Sequence, residues 1–208
     1  MNKKEKISLS EHEQTNLHNI KDLLISNFIV IEERYEKFCS MNEAERIESF
    51  LLAKKNNRNI LLEPLKDALN IAKNKSGFVA IFSPIVDKIK LVDYIYASFC
   101  SELQLITLER GNFMCRDWDK LTNLIDELAL LDNLHIITDS SLTSENIIKY
   151  CNTISSWYKT ESENCIMIDY FNLVTSNKSS KTEFNHKLFV EKLSKKYNAK
   201  VIPVYRNE

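Results

Sequence analysis

Cys165-Ile166-Met167-Ile168-Asp169-Tyr170-Phe171-Asn172-Leu173-Val174 is the stretch from which the fold is read. Four consecutive apolar residues end in a carboxylate, the pattern of a short strand buried on both faces of a parallel sheet. An aspartate placed this way sits at the carboxyl end of its strand, where open α/β sheets hold their ligands. The same letters also describe a core strand followed by a helix-capping or solvated aspartate. The surrounding chain must decide between them.

Working outward, strand and helix patterns alternate on both sides. Upstream lie a helix over Thr143–Tyr158 and a strand over Leu134–Thr138. Before these comes a periodic helix, Asp117–Leu131, with Trp118, Leu121, Leu124, Ile125, Leu128 and Leu131 inward. Residues 103–113 read as irregular or briefly helical, closing at Gly111. A helix over Lys88–Glu102 follows a buried strand, Phe78–Phe82, which Gly77 launches. Ile60-Leu61-Leu62 is a further short apolar run that reads as a strand, with a helix near Leu65–Asn74 behind it. Downstream, a polar loop at Thr175–Thr182 leads to a helix at about Glu183–Tyr197 and a last strand, Lys200–Tyr205. This alternation predicts a layered α/β domain with a mostly parallel sheet over residues 58–208. Residues 1–57 predict a helical N-terminal extension instead. A charged tail is followed by one helix over Glu13–Cys39 and a second through about Lys55, capped by Ser40 or Asn42. The second helix has an apolar face of Ala44, Ile47, Phe50 and Leu51, which is expected to pack on its own α/β domain or on a second copy.

Composition removes several function classes. The chain has 208 residues, 44% hydrophobic and 27% charged, with a net charge of −1, so no global basic field points to nucleic acid. Cys39, Cys100, Cys115, Cys151 and Cys165 contain no C-x-x-C pair, which argues against zinc or a disulfide framework and for a reducing cytosol. His12, His18, His135 and His186 show no metal spacing, so no metal or cofactor is expected. No signal peptide and no membrane span is read, and a cytoplasmic location follows as an expectation. Two glycines in the whole chain, Gly77 and Gly111, are too few for an ordinary phosphate-cradling loop.

From about Asn59 onward, several pieces occur in a familiar order. They are Ala68-Leu69-Asn70-Ile71-Ala72, Phe78-Val79-Ala80-Ile81-Phe82-Ser83, Arg110-Gly111 with Asp117-Trp118, and Ile136-Ile137-Thr138-Asp139-Ser140-Ser141-Leu142-Thr143. The run Ile166–Leu173 and Leu193-Ser194-Lys195-Lys196-Tyr197-Asn198 complete the set. Together they resemble the RecA-like motor domain of the DnaB-type replicative helicases. The resemblance implies a RecA-like three-layer sandwich, and it makes Asp169 the counterpart of the Walker B aspartate that holds magnesium through its water shell.

The departures from that pattern shape the functional expectation. The family's glycine-rich P-loop would lie between Ile60–Leu62 and Ala68, where this chain has Glu63-Pro64-Leu65-Lys66-Asp67, with no glycine and no hydroxyl. Lys66 is at most a relic of the P-loop lysine, and Glu63 and Asp67 would repel phosphate. The family's catalytic glutamate falls at Ile85, which accepts no proton. Its γ-phosphate-sensing glutamine falls near Arg206, and the family continues past the position of Glu208 with further strands and an arginine finger. Asp139 and Asp169 are expected at the ends of adjacent strands, as a weak two-acid cation site. Lys178, Lys181 and Lys187 occupy the region that faces single-stranded DNA in such helicases. The expected protein is a pseudo-ATPase with no catalytic residues, which engages a replicative helicase or another replication protein as inhibitor, regulator or adaptor. Homo-oligomerisation fits the family's head-to-tail packing. The alternatives are a single-stranded nucleic-acid-binding module, or a subunit that completes an ATP site with a partner chain.

Overall fold

The computed structural model describes residues 9–55, 60–74, 77–84, 87–100, 103–140, 143–158, 163–171, 174 and 185–205, the side chains of residues 12 and 50–55 excepted. In chain order these form α1 (Glu11–Thr15), β1 (Leu17–Asn19), α2 (Ile20–Ser40), α3 (Glu43–Lys55), α4 (Leu62–Lys73) and β2 (Val79–Phe82). There follow α5 (Lys88–Phe99), α6 (Leu105–Arg110), α7 (Cys115–Ala129), β3 (Leu134–Ile137), α8 (Ser144–Ser155), β4 (Asn164–Ile168), α9 (His186–Tyr197) and β5 (Ala199–Pro203). The sheet order is β1-β3-β2-β4-β5, with β1 antiparallel to β3 and the other neighbours parallel. The expected α/β class with a mostly parallel sheet is therefore present.

The chain divides into two compact units built from separate segments. The first comprises Met1–Asn19, Ala68–Ile85 and Asn133–Glu208, and holds the whole sheet. One face of that sheet shows Phe78, Ala80, Phe82, Ile166 and Ile168, the alternate residues of neighbouring strands, packed with Ile147, Tyr150 and Ile154 of α8 and Phe189 and Leu193 of α9. The alternate residues Val79, Ile81, Cys165 and Met167 are equally buried, so both faces are covered, as a sandwich requires. Asn164 locks the start of β4: its amide oxygen accepts from the Phe78 N–H at 2.9 Å, and its NH2 donates to the Tyr197 carbonyl at 2.6 Å. A Cβ at position 77 would run into that Asn164 side chain and the Glu163 carbonyl, and Gly77 carries none.

The second unit, Ile20–Asp67 and Val86–Asp132, is helical, with α2 packed on α5, α6 and α7. Buried Asp93 organises it. Arg34 donates to Asp93 at 2.8 Å and to the Leu108 carbonyl at 3.1 Å, and Asn27 donates to Asp93 at 3.0 Å and to the Ile89 carbonyl at 2.9 Å. Trp118 of α7 lies between Phe28 and Tyr35 of α2, with ring centroids at 6.0 and 5.3 Å. Gly111 ends α6 at φ 72°, a left-handed conformation, and a Cβ there would strike the Arg34 backbone.

Three expectations are corrected. The helix read over Glu13–Cys39 is broken at Asn16, and Leu17–Asn19 pair with His135–Ile137 as an edge strand. Pairing with the open edge of β3 satisfies backbone groups that a continued helix would have left exposed there. Ile60-Leu61-Leu62 is no strand, because Leu62 opens α4. Leu61, Leu65, Ala68, Leu69 and Ala72, spaced as one helical face, are all at most 1% exposed. Ile47, expected to pack, is 55% exposed, as its strongly charged neighbours Glu43, Glu45, Arg46 and Glu48 would favour, while the Phe50 and Leu51 side chains lie outside the described residues.

Candidate functional site

Asp169 follows the last residue of β4, and its position is set by the register of the sheet. Phe82 of β2 pairs with Ile168, so Ser83 and Asp169 emerge side by side at the carboxyl ends of neighbouring strands. The Asp169 side chain is fully buried. Its Oδ2 accepts from the Ser83 hydroxyl at 3.1 Å, and its Oδ1 accepts from the Tyr170 N–H at 2.9 Å. The Asp169 N–H in turn donates to the Phe82 carbonyl at 2.8 Å. Tyr170 takes φ 53°, a left-handed conformation rare outside glycine, which turns the chain sharply after the aspartate. A carboxylate held this way acts as a bracket between β2 and β4.

A magnesium nucleotide needs a nest of free backbone N–H groups, a lysine and a hydroxyl on the metal. The described residues do not fit one. The Glu63–Asp67 interval lies in the first turns of α4, where the Leu65 N–H is already taken by the Leu61 carbonyl at 2.9 Å. Lys66 is exposed between exposed Glu63 and Asp67. Ile85, Lys178, Lys181 and Arg206 lie outside the described residues, and Lys187 is exposed near the start of α9.

Asp139 and Asp169 do not stand on adjacent strands, because β2 runs between β3 and β4. Asp139 has its own surroundings. It is buried, and its Oδ2 accepts from the Tyr150 hydroxyl at 3.1 Å, while that hydroxyl also lies 3.2 Å from the Glu13 carbonyl. Burial and the nearby Asp139 charge push the Tyr150 phenol well above its ordinary value. Glu13 pairs with the Lys149 ammonium and accepts from Ser10. Burial alone would raise its carboxyl, but the lysine and the serine donors outweigh it and hold it at about 2. No group of three His, Cys, Asp or Glu among the described residues is arranged to hold a metal ion.

Two features had no clear sequence signal. The Ser83–Asp169 bond joins residues 86 positions apart, and only strand order brings them together. A cleft of about 390 Å³ opens at the other end of the sheet, near the amino ends of β2, β4 and β5, with Asn152, Ser155, Tyr158, Lys195, Lys196 and Asn198 in its wall. Beside it, His135 contacts the Tyr158 hydroxyl at 2.8 Å, and burial lowers its imidazole to about 4.

The family described as DnaB-like helicase C-terminal domain matches residues 64–201. Among solved structures, a helicase ATPase domain is similar, with a TM-score of 0.49 and 22% sequence identity, covering 65% of this chain and 51% of that one. The similarity thus spans about half the length of that chain. No curated protein matches.

Proposed function

This chain belongs to the family of DnaB-like helicase C-terminal domains, and we propose that it serves DNA replication through protein contacts, with no nucleotide turnover of its own. It acts as an inhibitor, regulator or adaptor of a replicative helicase, in the cytoplasm. The observation that carries this reading is the state of the two phosphate-handling positions. The P-loop interval is ordinary helix flanked by carboxylates, and the Walker B counterpart Asp169 is buried against Ser83 and the Tyr170 N–H. RecA-like helicase subunits associate head to tail, so a related domain fits the ring's contact geometry without needing its chemistry.

The test has two arms. Titration calorimetry with ATP and magnesium is expected to give no binding heat, and a micromolar dissociation constant, roughly −8 kcal/mol, overturns the inactive reading. Added to a DnaB-type helicase from the native host, the protein is expected to change that helicase's unwinding rate in proportion to its concentration. An unchanged rate at saturating concentration, with no complex on size-exclusion chromatography, overturns the helicase-partner reading.

A further inference from the structure

Helix α9 displays a face that its own unit does not use. Phe189, Leu193 and Tyr197 are buried, whereas Leu188, Glu191, Lys192 and Lys195 share the opposite side at helical spacings of three, four and seven. Leu188 is 60% exposed on that side. Neither Lys192, Lys195 nor Lys196 forms an ion pair with a described residue; Lys196 lies only over the Tyr197 ring, at 5.0 Å.

Helix stability explains part of this arrangement. Lysines in a last turn complement the negative end of the helix dipole, which accounts for Lys195 and Lys196. It does not account for Lys192 or for an exposed leucine two turns earlier. Lys192 and Lys196 moreover stand four residues apart, the spacing at which like charges repel along a helix. Burial and the Lys192 charge together push the Lys196 ammonium below its ordinary value. The same helix end walls the cleft of about 390 Å³ with Lys195 and Lys196, opposite Asn152, Ser155 and Tyr158. Asn152 uses its oxygen to accept the Tyr197 hydroxyl at 2.8 Å, which keeps its NH2 as a donor in the cleft wall.

We propose that this face of α9 and the adjoining cleft bind an acidic peptide segment of a partner protein, in which carboxylates alternate with large apolar side chains. Leu188 meets the apolar side chain, Lys192 and Lys195 pair with the flanking carboxylates, and the cleft takes a further carboxylate against Lys196 and the Asn152 amide. Charge complementarity of this kind sets both register and partner choice. A nucleic-acid strand is the less suitable occupant. Single-stranded tracks stack bases on aromatic rings, and the exposed side of α9 offers a leucine and a glutamate there instead. The inference rests on the reading of the protein as one that works through protein contacts, and it assigns that contact a surface and a chemistry.

The experiment uses the full chain and fluorescence anisotropy. The probes are a labelled decapeptide alternating aspartate with phenylalanine, the same peptide with asparagine for aspartate, and a labelled oligothymidylate. The aspartate peptide is expected to bind, with an affinity that falls as salt rises, while the asparagine peptide does not. Lys192→Glu combined with Lys195→Glu is expected to weaken binding by about tenfold or more, and Leu188→Ser by about threefold. All three sites are exposed, so thermal melts should match the parent. The proposal is overturned if the aspartate peptide fails to bind, or if it binds equally well in the double variant. It is also overturned if the oligothymidylate alone binds and loses that binding in the double variant, which assigns the face to nucleic acid. If the double variant still alters helicase unwinding while peptide binding is absent, this surface assignment fails and the helicase-partner reading stands.

Discussion

Asp169→Ala separates a structural bracket from a metal ligand kept for catalysis. The substitution removes an acceptor for the Ser83 hydroxyl, which is 1% exposed, and for the Tyr170 N–H, which sits in a strained left-handed turn. Hydrogen bonds to a charged group contribute about 1.5–3 kcal/mol each, so two of them bring a gross loss of roughly 3–6 kcal/mol. Removing the carboxylate also removes the cost of keeping a charge away from water, which offsets part of that loss. A net destabilisation of about 3 kcal/mol is expected, or roughly 6–12 °C in melting temperature for a chain of this size. Urea denaturation followed by circular dichroism measures it. Ser83→Ala and the double variant complete a cycle, in which the two changes should be less than additive because they remove the same bond. If Asp169→Ala melts within about 0.5 kcal/mol of the parent while abolishing a measurable nucleotide affinity, the bracket account is wrong and the aspartate is a retained magnesium ligand.

Two further substitutions test the frame around the site. His135 is buried, and its imidazole is lowered to about 4 from an ordinary 6.5, so the native state refuses a proton that the unfolded chain accepts. Stability should therefore fall as pH drops from about 6.5 towards 4, by roughly 3 kcal/mol. His135→Gln should flatten that limb of a pH–melting profile, and a profile unchanged by the substitution refutes the assignment. Glu13, held at about 2 against an ordinary 4.5, contributes on a separate limb, lost only as pH falls from about 4.5 to 2. Gly111→Ala places a Cβ at φ 72° against the Arg34 backbone and should cost about 2 kcal/mol or more by thermal denaturation. A neutral Gly111→Ala would mean that α6 and α2 do not approach as closely as described.

Much of the architecture is a local property of the chain. Continuous apolar runs such as Val79–Phe82 and Cys165–Ile168 are legible as buried strands because both of their faces must leave water, and both do. Gly111 reads as a helix stop because few residues adopt its backbone conformation, and it ends α6. The missing phosphate loop is legible in the same way, since a sequence of Glu63-Pro64-Leu65-Lys66-Asp67 supplies none of the glycines such a nest requires. Short apolar runs are more ambiguous. Ile60–Leu62 looks like a strand by itself and becomes part of a helical face only through Leu65, Ala68 and Ala72, whose burial is a tertiary fact. Leu17–Asn19 becomes a strand only because β3, far along the chain, offers an open edge. There Leu17 pairs with Ile137, His18 with Ile136 and Asn19 with His135.

Strand order is the other matter left to the tertiary structure. Asp139 and Asp169 each follow an apolar run and look alike in the sequence, yet β2 runs between their strands and gives them different partners, Tyr150 for one and Ser83 for the other. The side-chain pattern of a strand specifies which residues are buried, through its period of two, but says nothing of which strand lies beside it. That choice is made by long-range pairing and by helices packing across the sheet. The α9 face shows the same division. Its lysines are visible in the sequence, but that they stand around an exposed Leu188, beside a cleft walled by α8, follows only once Phe189 and Leu193 have turned the helix inward.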